Sequence, residues 1–503
     1  MKKVFNLKVF TLLAFALCAV VISCDDDVEV ANTNELNPSI FFENKAQLES
    51  ASAALYAHLQ TPGLYQRYGY ILPDTFSDEM RPSGDPNFLP SYRFTLDASL
   101  VQTSDYWAQC YNGIAKSNFI LDNEEKIREN ALISTSGFSE QDADNTLGEA
   151  YFMRAIHYWL LARRYGGVPL LITQSVEGLP RSTEEDTYAL IIDDFDKASQ
   201  LLYTKDATDK GRATQGAAYG MLGKVLLFRG RNAEAQIALN NVSGYSLLPE
   251  DQYKDNFNES GEFNDESMFE VVFSGDNNPS DTWAGNGQGV AEVTFHAQEY
   301  SGWGNARPSQ KMIDEFETDD PRKAIAILED GDAYGPGDAF TNTNGTIWYK
   351  FSQLYENETI VPEGSTNVRF LRYADVVLMK AEIENNLGND PVAINFLNEL
   401  RNRFSLPEYG SAEMDARGYP VNTPNNVFKA IVHERMVELC AEQHRFDDLV
   451  RWNLDAQELE IDFEGNPRNY NPNVHRYMPV PQEEIDRNPN LGSGEVAAQN
   501  TGY

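Results

Sequence analysis

The sequence predicts a mostly α-helical fold in which helix pairs of tetratricopeptide type carry a face made of long loops. Three observations support this. Several segments place apolar residues at the helical period of about 3.6. Two runs repeat the offsets of paired helices, in which small residues let the partners approach closely. Between the helices lie three stretches of roughly 30 residues with no such period, longer than most connections in a compact protein.

The chain opens with Met1-Lys2-Lys3, continues through the apolar run Val9 to Ile22, and reaches Ser23-Cys24 followed by Asp25-Asp26-Asp27. A charged start and a short apolar run make a secretory signal. At about 14 residues the run falls short of the roughly 30 Å hydrocarbon core of a bilayer, so it reads as an export signal rather than a span. Val20-Val21-Ile22-Ser23-Cys24 resembles a bacterial lipobox, in which the Cys is acylated and becomes the new first residue. An ordinary signal with an incidental Cys is the alternative. Residues 1–23 are thus expected to be a signal peptide and Cys24 the lipid attachment site. Residues 24–38, polar, acidic and without helical period, are expected to be a flexible tether. Each buried CH₂ contributes about 0.8 kcal/mol, so two or more acyl chains make a stable anchor. Residues 39–503 contain no Pro/Ser-rich linker and read as a single unit with long inserted loops.

Within that unit, Gly148 to Tyr165 places Phe152, Ala155, Ile156, Trp159 and Leu160 on one face and Arg154, His157 and Arg164 on another. Tyr151, Tyr158 and Leu161 widen the apolar side until the helix must be mostly buried, and Gly166-Gly167-Val168-Pro169 stops it. A second helix runs from about Thr183 to Leu202, with Tyr188, Ile191, Ile192, Phe195 and Ala198 inward, and a third begins near Thr214. From there Tyr219, Leu222, Gly223, Leu226, Ala235, Leu239 and Val242 fit the tetratricopeptide spacing. Val377, Ala381, Ala393, Leu397 and Leu400 repeat it around the turn Gly388-Asn389-Asp390-Pro391. Together these predict stacked helical hairpins. Trp107 with Tyr111, Ile114 and Asn118 is at helical spacing and, like Trp159 and Trp452, is expected in the core.

The aperiodic stretches are Thr61 to Leu96, Ser274 to Pro308 and Gly331 to Glu363, rich in Gly, Pro, Asn, Asp and aromatics. Their aromatic content argues against disorder, which leaves function.

With 77 acidic against 40 basic residues the net charge is −37, which argues against nucleic acid or an anionic lipid surface as the main ligand. Of four Cys, only Cys110 and Cys440 lie outside the leader region, too few for a disulfide scaffold. Buried free thiols are the expected state, and a single disulfide the alternative.

Catalytic and metal motifs fail on inspection. His433-Glu434 begins a zinc-peptidase helix motif, but Val437 stands where the second His is needed. Asp330-Gly331-Asp332 opens a calcium-loop pattern that breaks at Tyr334 and Thr341. Gly285-Asn286-Gly287-Gln288-Gly289 follows no apolar strand, and no Gly-x-Ser-x-Gly elbow occurs. The densest charge pattern is Glu434-Arg435, Glu438, Glu442, Arg445, Asp447-Asp448 and Arg451, where residues 435, 438, 442 and 445 are expected to share a helix face. Alternating signs suit buried ion pairs between helices, and such networks commonly imitate active sites. No catalytic residue, metal site or cofactor is predicted.

The residues resemble a known family. Glu149-Ala150-Tyr151-Phe152-Met153-Arg154-Ala155, Tyr158, Tyr165-Gly166-Gly167 and Val168-Pro169-Leu170 look like the signature helix of the SusD/RagB family, surface glycan-binding lipoproteins of Bacteroidetes. Further blocks follow in order: Asp255-Asn256-Phe257, Glu266-Ser267 and Phe269-Glu270-Val271; then Arg307-Pro308 and Asp320-Pro321-Arg322. The stretch from Arg369 to Glu382 continues the series with Asn398 to Arg403, and Glu434-Arg435 to Trp452 extends it. Met478-Pro479-Val480-Pro481, Asn488-Pro489 and the terminal Asn500 to Tyr503 close it, with Gly492 to Gln499 lengthening the usual last step. The resemblance implies a SusD-like helical fold with a loop-built ligand face, and a lipid-anchored place on the outer membrane. It further implies a lid-like association with a SusC-like TonB-dependent transporter that receives glycans, or in some members peptides. It implies no enzymatic activity. A surface glycosidase is the reading from a different class, since acid pairs far apart in sequence are invisible to spacing.

A sugar presents a weakly apolar face and a rim of hydroxyls, so its site needs an exposed ring beside polar groups. The loops supply Trp283, Trp303 and Trp348 with Tyr300, and the polar candidates Asp78, Glu79, Arg81, Asn286 and Asn305. The alternative for each ring is that it pins its loop to the scaffold.

Overall fold

The computed structural model describes residues 41–82, 88–174, 178–273, 306–334, 338–339, 341, 345–351, 365–461 and 467–503. The expected signal peptide 1–23, Cys24 and the tether 24–38 lie outside the described residues.

Helices dominate. The first half holds α1 (Lys45–Tyr56), α2 (Tyr68–Phe76), α3 (Val101–Leu121), α4 (Glu124–Ala131), α5 (Glu140–Tyr165), α6 (Glu184–Leu201), α7 (Gln215–Phe228) and α8 (Asn232–Asn240). The second holds α9 (Gln310–Glu315), α10 (Tyr373–Asn386), α11 (Asp390–Arg403), α12 (Pro424–Glu438), α13 (Arg445–Arg451) and α14 (Gln482–Arg487). No described helix is long and apolar enough to cross a membrane.

The expected helices form, with starts set by side-chain caps. Thr183 accepts from the N–H of Asp186 to begin α6, and Thr214 accepts from Ala217 to begin α7. The signature helix starts earlier than its apolar period suggests, because Ser139 and Asp142 form a reciprocal capping box. Gly388, at φ 81°, makes the left-handed turn between α10 and α11, and Pro391 sits in the first turn of α11, where its missing N–H is harmless.

The helices stack in series, α3 on α5, α5 on α6, α6 on α7, α7 on α8, α8 on α10 and α10 on α11, with α12 against both α10 and α11. Small residues set the spacing. A Cβ on Gly223 would lie 2.2 Å from Leu239 Cδ2, and one on Gly113 would lie 2.1 Å from the His157 ring. Two apolar clusters result: a large one centred on α5, and a smaller one in which Val377, Leu378, Ala393, Leu397, Leu400, Val427 and Ile431 join α10, α11 and α12.

Arg154, His157 and Arg164 are buried with the rest of their helix, and the two arginines pair with Asp194 and Asp447. Two expectations need correction. The stretch Thr61 to Leu96 is not wholly irregular, for it contains α2, buried from Gly69 to Phe76 with Pro73 inside it. A helix covered on every side has no polar face to produce a period, and the proline disguises it further. Residues 435, 438, 442 and 445 do not share one helix, because α12 ends at Glu438 and Ala441 and Gln443 turn at positive φ before α13.

Strands are short antiparallel pairs: β1 (Met80–Pro82), β2 (Ser267–Val271), β3 (Ala306–Pro308), β4 (Ile327–Leu328), β5 (Ala333–Tyr334), β6 (Asp338–Ala339), β7 (Ile347–Trp348) and β8 (Val368–Arg372). β1 pairs with β3, β2 with β8, β4 with β7 and β5 with β6. Cys110 and Cys440 are free and buried, and burial pushes the Cys440 thiol up to about 12, so both are inert packing residues. The lengthened C-terminal step packs well: Gln499 exchanges hydrogen bonds with the backbone of Val480, and Arg181 holds Asn500 at 2.8 Å.

Candidate functional site

The three long aperiodic stretches have their roots together. The register of β1 and β3 sets Met80 opposite Pro308, Arg81 opposite Arg307 and Pro82 opposite Ala306. The root of segment 83–87 therefore lies beside the end of segment 274–305. The other root of that long segment is tied as well, since Phe273 donates its N–H to Asn367 Oδ1 at 2.8 Å, next to where segment 352–364 ends. β7 packs beside β3, the Tyr70 and Phe351 rings meet edge to face at 6.0 Å, and Tyr65 and Phe370 do so at 5.5 Å. Chain regions far apart in sequence thus meet at one face, the one formed by β1, β3 and β7.

Beneath this face is a layer of buried charge. Asp78 accepts from Arg445 Nε at 2.8 Å and Nη2 at 2.9 Å, and from Lys311. Burial alone would raise its pKa, but the two cations outweigh it and hold the carboxyl well below the usual range. Glu79 Oε1 accepts from Ala441 N and Asp74 Oδ1 from Gln443 N, each at 3.0 Å, so the two carboxyls clasp the left-handed turn after α12. Burial drives both upward, and the charge of Asp74 adds to the rise on Glu79. Ser309, which caps α9, donates N–H to Glu79 O and Oγ–H to Asp78 O, fastening β3 to this layer.

Deeper still, Arg372 joins Glu266, Glu438 and Glu442 at 2.6, 2.9 and 2.7 Å. Arg322 joins Asp320, Glu434 and Glu438, and Arg435 bridges Asp375 and Asp448. The charged run singled out in the sequence is therefore consumed in buried ion pairs. Glu317, His433 and Glu434 place ligand atoms within 4.8 Å of one another, as a metal site would. Arg401 already sits on both carboxylates, and His433 spends its two ring nitrogens on Glu315 and Glu317. That group holds its cation in the form of Arg401.

Several candidate ligand residues change status. Trp348 is only 2 % exposed, in β7 against β4, so its ring packs the core and offers no face to a ligand. Asp78 and Glu79 are buried and committed to Arg445, Lys311 and Ala441, so they support the face rather than line it. Arg81 is half-buried on β1 at the margin of the face. Trp283, Trp303, Tyr300, Asn286 and Asn305 lie outside the described residues. Trp107 and Trp159 are core as expected, whereas Trp452 is half-buried and donates Nε1–H to Glu382 at 2.9 Å. Asp74 and Lys311 were not singled out in the sequence, because their partners are distant and neither sits in a motif.

The described residues form a stack of helical hairpins on which β1, β3 and β7 join chain regions distant in sequence. Comparison with known proteins places it more closely. A family model described as the SusD family matches residues 323–503, and one described as starch-binding associating with outer membrane matches residues 29–227. A SusD-like protein of Formosa agariphila is 26% identical, with both chains covered in full. A solved SusD superfamily protein from Bacteroides vulgatus superposes with a TM-score of 0.77 at 27% identity, over 92% of this chain and 100% of the other. Surface glycan-binding protein A from Bacteroides thetaiotaomicron, in complex with laminarihexaose, superposes with a TM-score of 0.73 at 19% identity, over 91% and 99%. The chain belongs to the SusD family.

Proposed function

We propose that this protein is a surface lipoprotein that captures glycans and hands them to a SusC-like TonB-dependent transporter, without cleaving them. The observation that carries the reading is the common root of the long loops at β1–β3 and β2–β8. The segment 274–305 that leaves these roots carries Trp283, Trp303 and Tyr300 together with Asn286 and Asn305 in its sequence, and Arg81 lies on β1 at its end. Rings and adjacent polar groups are what a pyranose and its vicinal hydroxyls require. Likeness of fold to a protein solved with laminarihexaose supports a glycan over other ligands. Cys24 is the anchor, residues 24–38 the tether and 39–503 the binding unit; anchoring beside the transporter keeps captured ligand near its entrance.

Calorimetry against a panel of β- and α-glucan oligosaccharides tests the reading, with a parallel assay for new reducing ends. Binding without new ends is the expected result. Appearance of reducing ends would make the protein a glycosidase, and binding of peptides in place of every glycan would make it a peptide-capturing member of the family.

A further inference from the structure

We infer that the cavity between α1, the first half of α5 and the turn 203–212 is a second saccharide site, which takes a single neutral sugar unit. It is separate from the face formed by β1, β3 and β7, since none of those strands contributes to its lining. The cavity holds about 430 Å³, within the roughly 300–1,000 Å³ of small-molecule pockets. Its walls are polar almost throughout, with Leu48 and Ala207 the two aliphatic members of the lining. An apolar ligand would leave many of these donors and acceptors unpaired.

The polar groups are held in place and only partly used. Glu149 is 2 % exposed and accepts from the Tyr56 hydroxyl at 3.1 Å, from Ser52, and from Arg212, whose Nη1 stands 3.3 Å from Oε2. Among the described residues Arg212 makes its hydrogen bonds through Nη1 alone, so Nε and Nη2 keep donors to give. Asn145 spends Oδ1 on the Tyr203 N–H at 2.9 Å and keeps its amide N–H groups. Thr146 is 5 % exposed, yet its hydroxyl has no hydrogen-bond partner among the described residues. A threonine inside a helix can turn its hydroxyl to the carbonyl one turn back, and this one does not. On a cavity wall such a hydroxyl is paired only when something occupies the cavity.

Charge narrows the ligand. Glu49, Asp142, Glu149 and Asp209 bring four carboxylates to the lining, and Lys45 and Arg212 bring two cations. A uronate or sulfated sugar is repelled by the carboxylates and an amino sugar by the cations, whereas a neutral ring is opposed by neither. Its hydroxyls both donate and accept. A carboxylate beside a guanidinium answers two adjacent hydroxyls at once, Glu149 accepting from one and Arg212 donating to the next. With one site here and another at the loops, a branched glycan held at either is concentrated at both.

Ligand-observed NMR on the mature chain with glucose, galactose, mannose and xylose tests the site, with glucosamine and glucuronate as charged counterparts. At least one neutral sugar is expected to bind, and more tightly than either charged one. Gln141→Trp, at an exposed position in the first turn of α5, puts an indole into the cavity without removing any contact of Glu149, and is expected to abolish that binding. Thr146→Val removes the unpaired hydroxyl and is expected to weaken it about fivefold, the effect of one hydrogen bond. Melting and the affinity for oligosaccharides at the loops should match the parent in both variants. Failure of every neutral sugar to bind, tighter binding of a charged counterpart, or parent-like sugar affinity in both variants would overturn the site and leave the proposed function standing. An equal loss of oligosaccharide affinity in both variants would also overturn it, by making the cavity part of a single site. If the variants lose the monosaccharide while no oligosaccharide binds even the parent, the cavity site stands and the loop reading falls.

Discussion

Arg154 on α5 reaches Asp194 on α6 through two parallel contacts, Nε to Oδ2 and Nη2 to Oδ1, both 2.8 Å. The aspartate is fully buried, and Arg154 Nη1 also donates to Asn118 Oδ1 on α3 at 3.0 Å. One guanidinium therefore ties three successive helices of the stack. Arg154→Ala strands a buried carboxylate and should lower the unfolding free energy by about 3–5 kcal/mol in urea titrations. Arg154→Lys should recover only part of this, because an ammonium cannot make the forked contact. A loss under about 1 kcal/mol for Arg154→Ala would mean that the pair contributes little.

Trp348 and the tryptophans of segment 274–305 should separate in opposite experiments. Trp348→Ala removes a buried ring and should lower stability by about 3–5 kcal/mol. Trp283→Ala and Trp303→Ala should leave melting unchanged and weaken glycan binding by about 1–3 kcal/mol, the scale of a buried aromatic contact. Calorimetry on all three variants decides; two loop variants that bind like the parent would refute the aromatic site.

The charged layer should matter for folding and not for ligand. Arg435→Ala or Glu438→Ala leaves partners unpaired in the interior and should cost about 3–5 kcal/mol. Ligand affinity of the surviving folded protein should match the parent. Selective loss of binding with unchanged melting would instead make the cluster part of the site.

His433 gives stability a pH dependence of known sign. Burial lowers its pKa, but hydrogen bonds to Glu315 and Glu317 and the Glu434 charge override this and raise it from 6.5 to about 9. A group whose folded pKa is raised contributes fully below its unfolded value and less as pH climbs through the folded one. The melting temperature should therefore fall between pH 6.5 and about 9, and His433→Gln should flatten that fall. Parallel slopes in parent and variant would exclude His433 as the source.

Cys24→Ala should release the protein from membranes, since no described helix can anchor it. Retention of the variant in the membrane pellet at high salt would show another attachment.

The repeats were legible because their signals are local. Ala, Gly and Leu at fixed offsets, a capping threonine and a Gly-Asn-Asp-Pro turn each act within a few residues, and Gly223 does seat Leu239 as its spacing suggests. What was illegible is long-range. Arg164 meets Asp447 across 283 positions, and no pattern around either residue announces the other. Asp78 and Glu79 looked like ligand groups because they sit in a polar stretch, and only the arrival of Arg445, Lys311 and the 441–443 turn makes them structural. Trp348 failed as a candidate for a similar reason: a strand of two residues leaves no alternation from which to tell an inward ring from an outward one.

The pairing of β1 with β3 fixes where two segments of this chain meet the scaffold. With Pro82 locked opposite Ala306, and Phe273 tied to Asn367, the points where these segments leave and rejoin the scaffold are held by the scaffold itself. Insertions or wholesale replacement between those points leave the helical stack untouched, since loop-closure cost grows only slowly with length. The arrangement behaves as a socket: the frame sets where these segments attach, and the length between attachment points can change without altering the frame.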